Sequence, residues 1–171
     1  WTNTVDNIGP TQPQLIYMRN GDATNGTAIP FQWTRSTNNV TNYIVYIDNV
    51  PSKTNRGFLI TNWTSGALAT GIHTWRVKAI DKSGLTNTSA QWSFVIDNQA
   101  PNAPALSLPV NNEFTNSGAV TFTWLKPADT GVAGISNYRI WISSNNFTTV
   151  QRSNWGTSSN TLSYTPGTVL G

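Results

Sequence analysis

The chain repeats itself. Trp1, Asp6, Asn7, Pro10 and Pro13 recur as Trp92, Asp97, Asn98, Pro101 and Pro104, each 91 positions further on. The register continues through Leu15 and Leu106, Asn20 and Asn111, Thr24-Asn25 and Thr115-Asn116, Ala28 and Ala119, Phe31 and Phe122, and Trp33 and Trp124. Twelve of the first 33 residues are identical at that spacing. Beyond Trp33 the offset becomes 95: Asn42-Tyr43 meets Asn137-Tyr138, Ile47 meets Ile142, and Trp141 stands where Tyr46 does. Four extra residues between Asp129 and Ile135 account for the change, and insertions of that size are accommodated in loops. A fixed period means that one structural unit is used more than once, so any fold for this chain must be a fold for about 91 residues. That is a small domain.

The pattern inside the unit is that of strands. In 91–96, Trp92, Phe94 and Ile96 fall on one face and Ser93 and Val95 on the other, an alternation with one buried side. The next residues, Asp97 to Pro104, carry two prolines three apart. These lack donors and hold the backbone extended, so a strand ends there and a short stiff connector follows. Upstream, 14–19 reads as a first strand, followed by turn signals at Asn20-Gly21-Asp22 and Asn25-Gly26. Residues 29–35 form a second strand with Ile29, Phe31 and Trp33 inward. Residues 43–48 form a third with Tyr43, Val45 and Ile47 inward and Ile44 and Tyr46 outward. Asp48-Asn49 opens a turn, 58–61 reads as a short strand, and 68–71 as a corner. Residues 73–80 put Trp75, Val77 and Ala79 inward and Arg76 and Lys78 outward, before a turn at 81–84. No segment has a helical period. Short strands divided by turn residues predict an all-β chain of tandem Greek-key sandwiches, with Trp33, Trp75, Trp92 and Trp124 in their cores.

The organisation expected is therefore a closing strand and connector of a preceding repeat over 1–12, a complete sandwich over 13–97, a proline connector over 98–104, and a second sandwich over 105–171. The second has candidate strands at 106–108, 119–125, 138–143 and 161–164 and stops at Gly171, where the first has Gly71. It lacks counterparts of the last two strands. Phe122, Trp124, Tyr138 and Ile140 are then expected to face water unless a longer polypeptide or a neighbouring molecule covers them. The segment Trp1–Val5 is a candidate donor strand. The chain opens on Trp rather than Met, as expected of a processed chain or a segment of a longer one.

The string LATGIHTWRVKAIDKSGL (68–85), followed by WSFVID and a proline connector, resembles bacterial fibronectin type III-like or Ig-like tandem repeats of extracellular surface proteins. Trp33 followed by Tyr43 is similar to the same family. The resemblance covers nearly the whole chain. It implies Ig-like sandwiches in tandem. The proline connectors, which limit hinge freedom and hold units end to end, favour a non-catalytic structural segment of an extracellular or cell-surface protein, a surface layer, stalk or filament, with neighbouring repeats as partners and self-assembly into a filament or lattice. One departure stands out. The place of the corner tyrosine, which bonds back to the backbone at the start of the sixth strand, is taken here by His73 or Trp75.

The residues give little to chemistry. Charged side chains make up 10% of the chain, with seven carboxylates, one histidine and no cysteine. Disulfides and thiolate metal sites are excluded. No carboxylate pair or nucleophile–base set is apparent, so no enzyme and no cofactor is expected. Asp97 and Asn98, with Asp81 nearby, are candidates for calcium. That ion wants six to eight oxygens, however, and an Asp-Asn pair also ends a strand by bonding its own backbone. The net charge of +3 is scattered and gives no nucleic-acid stripe. No apolar run approaches the roughly 20 residues of a membrane helix. The binding candidates are aromatics: Tyr46 and Trp141 at equivalent outward positions, and Trp63 and Trp155 in or near loops. Such rings stack on sugars or anchor protein contacts. They support the alternative of an adhesin or a carbohydrate-binding accessory module, with a glycan or cell-surface ligand.

Overall fold

The computed structural model describes residues 7–114, 119–144, 146–148 and 152–167, with no side-chain description for 152–157. Trp1–Val5 and the Trp155 side chain lie outside the described residues. The chain divides into two compact units, Trp1–Asn98 and Gln99–Gly171. Strands make up all the regular structure described, and no helix among the described residues is long and apolar enough to cross a membrane.

Unit one is a sandwich. Its strands are β1 (Leu15–Tyr17), β2 (Asp22–Thr24), β3 (Pro30–Trp33), β4 (Val40–Ile47), β5 (Val50–Arg56), β6 (Asn62–Thr64), β7 (Gly71–Asp81), β8 (Thr86–Thr88) and β9 (Trp92–Ile96). One sheet has the order β1-β3-β6. The other has the order β2-β9-β7-β4-β5, with β8 paired to β7. All pairs are antiparallel except β2 with β9. The first strand, expected over 14–19, shortens to β1. β1 lies on one sheet, the chain bends at Met18 (φ 48°), and β2 joins the other sheet, where a turn was expected. The bend is pinned because Trp75 Nε1–H donates to the Met18 carbonyl at 2.8 Å.

Alternation decides which side of each strand is buried. Phe31 and Trp33 from β3, Tyr43, Val45 and Ile47 from β4, Trp75, Val77 and Ala79 from β7, and Phe94 and Ile96 from β9 form one cluster, closed by Ile29, Leu15 and Met18. Each large apolar side chain removed from water contributes about 1.5–3 kcal/mol. The rings interlock: Phe31 meets Trp75 at 4.9 Å and Phe94 at 5.6 Å, and Trp33 meets Tyr43 at 5.7 Å. Trp92, expected in the core, is half-buried at its border, edge-on to Trp75 at 6.2 Å.

Two strands differ from the sequence reading. The segment 58–61 is a turn between β5 and β6 rather than a strand. β5 itself (VPSKTNR) was not expected, because an exposed edge strand needs no apolar alternation. It is held by backbone bonds to β4 through a two-residue turn, Asp48-Asn49, in which both residues have positive φ (50° and 66°). That is the geometry a tight hairpin prefers, and Asp and Asn are among the residues that tolerate it.

Unit two contains β10 (Ala105–Leu108), β11 (Phe122–Leu125), β12 (Asn137–Ile142), β13 (Arg152–Ser158) and β14 (Ser163–Tyr164). Its first sheet, β10-β11-β14, repeats β1-β3-β6 pair by pair. Leu15 opposes Trp33 and Leu106 opposes Trp124, with a register shift at the next pair in both. Phe31 opposes Trp63 and Phe122 opposes Tyr164. The second sheet is the hairpin β12-β13. Trp124 and Tyr138 are buried, with ring centroids 5.5 Å apart at 62°. Trp33 and Tyr43 adopt the same arrangement at 5.7 Å and 62°. The expectation that Trp124 and Tyr138 face water is therefore overturned, since the two rings bury each other edge to face. What stays open is an apolar cleft of about 400 Å³ lined by Trp124 and Tyr138 themselves together with Leu106, Leu108, Phe122 and Ile140.

Candidate functional site

The sequence candidates do not converge on one place. Tyr46 points outward from β4 as expected, but Arg76 and Lys78 of β7 lie over its ring at 5.1 and 5.9 Å and leave it half-buried. Strand alternation places these three on one face, with the guanidinium and the ammonium over the ring. Trp141 is 49% exposed, with the Arg139 guanidinium 4.8 Å from its ring. Trp63, expected in or near a loop, lies on β6. It stacks on Phe31 at 5.6 Å and 18°, so that it caps the core instead of standing free. A polar turn on each side makes this three-residue strand hard to see in sequence.

The calcium candidates are separated. Asp81 ends β7 and Asp97 follows β9 beside the start of β7, because Gly71 pairs with Ile96. Ten residues of strand, about 30 Å, lie between the two positions. Asp81 is buried, and its Oδ1 accepts the Ser83 and Leu85 backbone N–H groups at 2.8 Å each. The Asp97 N–H donates to the Thr24 carbonyl at 2.9 Å, and Asn98 is exposed beside it. Among the described residues no group of three or more metal-ligating side chains is found.

The polar cluster that the structure does assemble centres on His73. Its Nδ1 lies 2.7 Å from Asp48 Oδ2 and its Nε2 lies 2.8 Å from the Ala69 carbonyl, four residues upstream. Asp48 Oδ1 accepts the Thr74 N–H at 2.8 Å. The ring stacks on Phe94 at 5.5 Å. His73 thus makes the backbone bond that a corner tyrosine would make, while Trp75 donates elsewhere, to Met18. Both imidazole nitrogens face acceptors, so both contacts are satisfied only by the doubly protonated ring. Burial opposes that charge, but the Ala69 carbonyl and the Asp48 carboxylate outweigh it and raise the His73 pKa. Burial likewise pushes Asp48 up. The hydrogen bonds from His73 and Thr74 and the imidazolium charge overcome this and hold it below the ordinary value. The cluster ties the β4–β5 hairpin to the corner before β7. It presents no nucleophile and no cleft, and its chemistry is that of a clasp.

No protein-family model and no curated protein matches the chain. Among solved structures it is similar to the fibronectin(III)-like modules of Clostridium thermocellum CbhA, at 13% identity and TM-score 0.41, over 49% of this chain and 94% of that one. It is also similar to the central fibronectin-III array of RIM-binding protein, at 21% identity and TM-score 0.41. That likeness covers 97% of this chain and 55% of that one. The fold is all-β: in unit one, a three-stranded sheet packed on a larger sheet in the strand order given above.

Proposed function

We propose that the chain is a non-catalytic structural repeat segment of a long extracellular or cell-surface protein, of surface-layer, stalk or filament kind. Neighbouring repeats of the same protein are its partners, and it assembles with them into a filament or lattice. The observation that carries this reading is the duplicated Trp–Tyr pair, Trp33 on Tyr43 and Trp124 on Tyr138, set by the same strand register. What the repeat reproduces is packing. The His73–Asp48 clasp is not reproduced, because Ser143 stands at the place of Asp48. A unit whose duplicated content is its core, joined by proline connectors, suits a spacer. Antibody labelling of intact source cells tests the placement. Labelling before permeabilisation is the expected result, and labelling only afterwards contradicts the surface reading.

One observation favours a second reading, a glycan-binding accessory module or adhesin: the half-exposed Trp141 with Arg139 beside it. Binding on a glycan array that disappears in Trp141→Ala would support it over the spacer.

A further inference from the structure

At one end of unit one, the loop after β3, the start of β4, the turn after β5 and the turn after β7 enclose a cleft of about 340 Å³. Its lining includes Arg35, Ser36, Asn39, Thr41 and Lys82, with Phe58 beside them. Two of these side chains are cations and none is an acid. The Arg35 guanidinium lies 4.2 Å from the centroid of the partly exposed Phe58 ring, which fixes where its planar fork can sit. Neither Arg35 nor Lys82 has a carboxylate partner among the described residues. The nearest acid in sequence, Asp81, has its Oδ1 engaged by the backbone of its own turn, while its Oδ2 is buried without a hydrogen-bond partner.

Ser36 supplies an independent observation. It is 2% exposed, and its N–H donates to the Tyr43 hydroxyl at 2.8 Å. Its own hydroxyl is buried with no protein partner. A buried hydroxyl without a partner is costly, and it is a donor ready for an acceptor oxygen. The walls of the cleft are also tied in advance. Lys82 N–H donates to the Asn39 carbonyl at 3.1 Å, and Gly57 N–H to the Thr41 carbonyl at 2.8 Å. Asn38 and Asn39 both adopt left-handed φ (68° and 53°), and Asn38 Nδ2 donates to the Gly9 carbonyl at 3.0 Å. A site built before its ligand arrives loses less entropy on binding.

The geometry points to a binding site for a compact oxyanion, of carboxylate or phosphate type. Arg35 presents the fork that matches such a group, Lys82 the second charge, and Ser36 the buried hydroxyl. A spacer needs no such site, so failure of this inference leaves the structural reading standing.

The test is a titration of the full chain, at constant ionic strength in chloride, with galacturonate in one arm and inorganic phosphate in the other, followed by backbone amide NMR. The expected result is saturable shifts centred on Ser36, Asn39 and Lys82, with a millimolar dissociation constant, in at least one arm. The tighter arm identifies the source: a uronic saccharide or a phosphorylated one. Arg35→Ala should weaken binding at least about fivefold, the order expected for losing one charge-assisted contact. Ser36→Ala separates binding from folding. Removing a partnerless buried hydroxyl should leave the melting temperature unchanged or raised, yet weaken binding. No saturation below about 50 mM in either arm, or equal affinity in the parent and Arg35→Ala, overturns the proposal.

Discussion

Two buried tryptophans of unit one look alike in sequence and differ in chemistry. Trp33 and Trp75 are equally buried, but Trp75 Nε1–H bonds the Met18 carbonyl whereas Trp33 Nε1–H is buried without a partner. Replacing either by Phe removes the same volume. The Trp75 change also strands a buried carbonyl, while the Trp33 change relieves a stranded donor. Trp75→Phe should therefore be the more destabilising by about 1–3 kcal/mol in urea denaturation. Equal losses would show that the bend at Met18 does not depend on this bond. His73 acts through its charge. The raised pKa of His73 contributes stability that is complete below the ordinary histidine value and lost as pH rises through the folded value. The lowered pKa of Asp48 contributes stability that is complete above the ordinary carboxylate value and lost as pH falls through the folded one. The clasp is thus fully effective between about pH 4 and pH 6.5. The melting-temperature gap between the parent and His73→Gln should be widest there and shrink towards pH 9. A gap independent of pH would show that the ring acts only by packing.

At the scale of elements, the legible strands were those with one buried face. Phe31 and Trp33, then Tyr43, Val45 and Ile47, then Trp75, Val77 and Ala79 alternate cleanly, and their strands and inward sides follow from the sequence. β5 and β8 did not follow, because an edge strand of Pro, Ser, Lys, Thr and Asn is specified by its neighbour's backbone and not by its own side chains. The His73 clasp was equally illegible, because Asp48 and His73 are 25 residues apart and meet only once β4 and β7 pair. The turn that aims Asp48 can be tested separately. At Asn49, with φ of 66°, Ala would adopt a left-handed conformation that costs about 1–2 kcal/mol. Asn49→Ala should lose about that much stability, and Ser52→Ala, on the exposed edge, close to none. Similar effects at both positions would mean that the hairpin is not held in this turn.

At the scale of the whole molecule, one core plan is used twice. Leu106 and Trp124 pair as Leu15 and Trp33 do, and Tyr138 meets Trp124 as Tyr43 meets Trp33. The two units differ in how well the plan is covered. Leu15 is buried in unit one, whereas its counterpart Leu106 in unit two is 84% exposed. Unit two should therefore be the less stable and should unfold on its own. The most direct measurement is hydrogen exchange along the chain in Trp124→Ala beside the parent. A buried Trp removed from a core costs about 3–5 kcal/mol, enough to open a small unit. Amides of β11 and β12 should lose their protection while those of β4 and β7 keep theirs. Unchanged protection in β11 and β12, or loss that spreads into β4 and β7, would contradict the claim that Trp124 centres a second, independent copy of the same core.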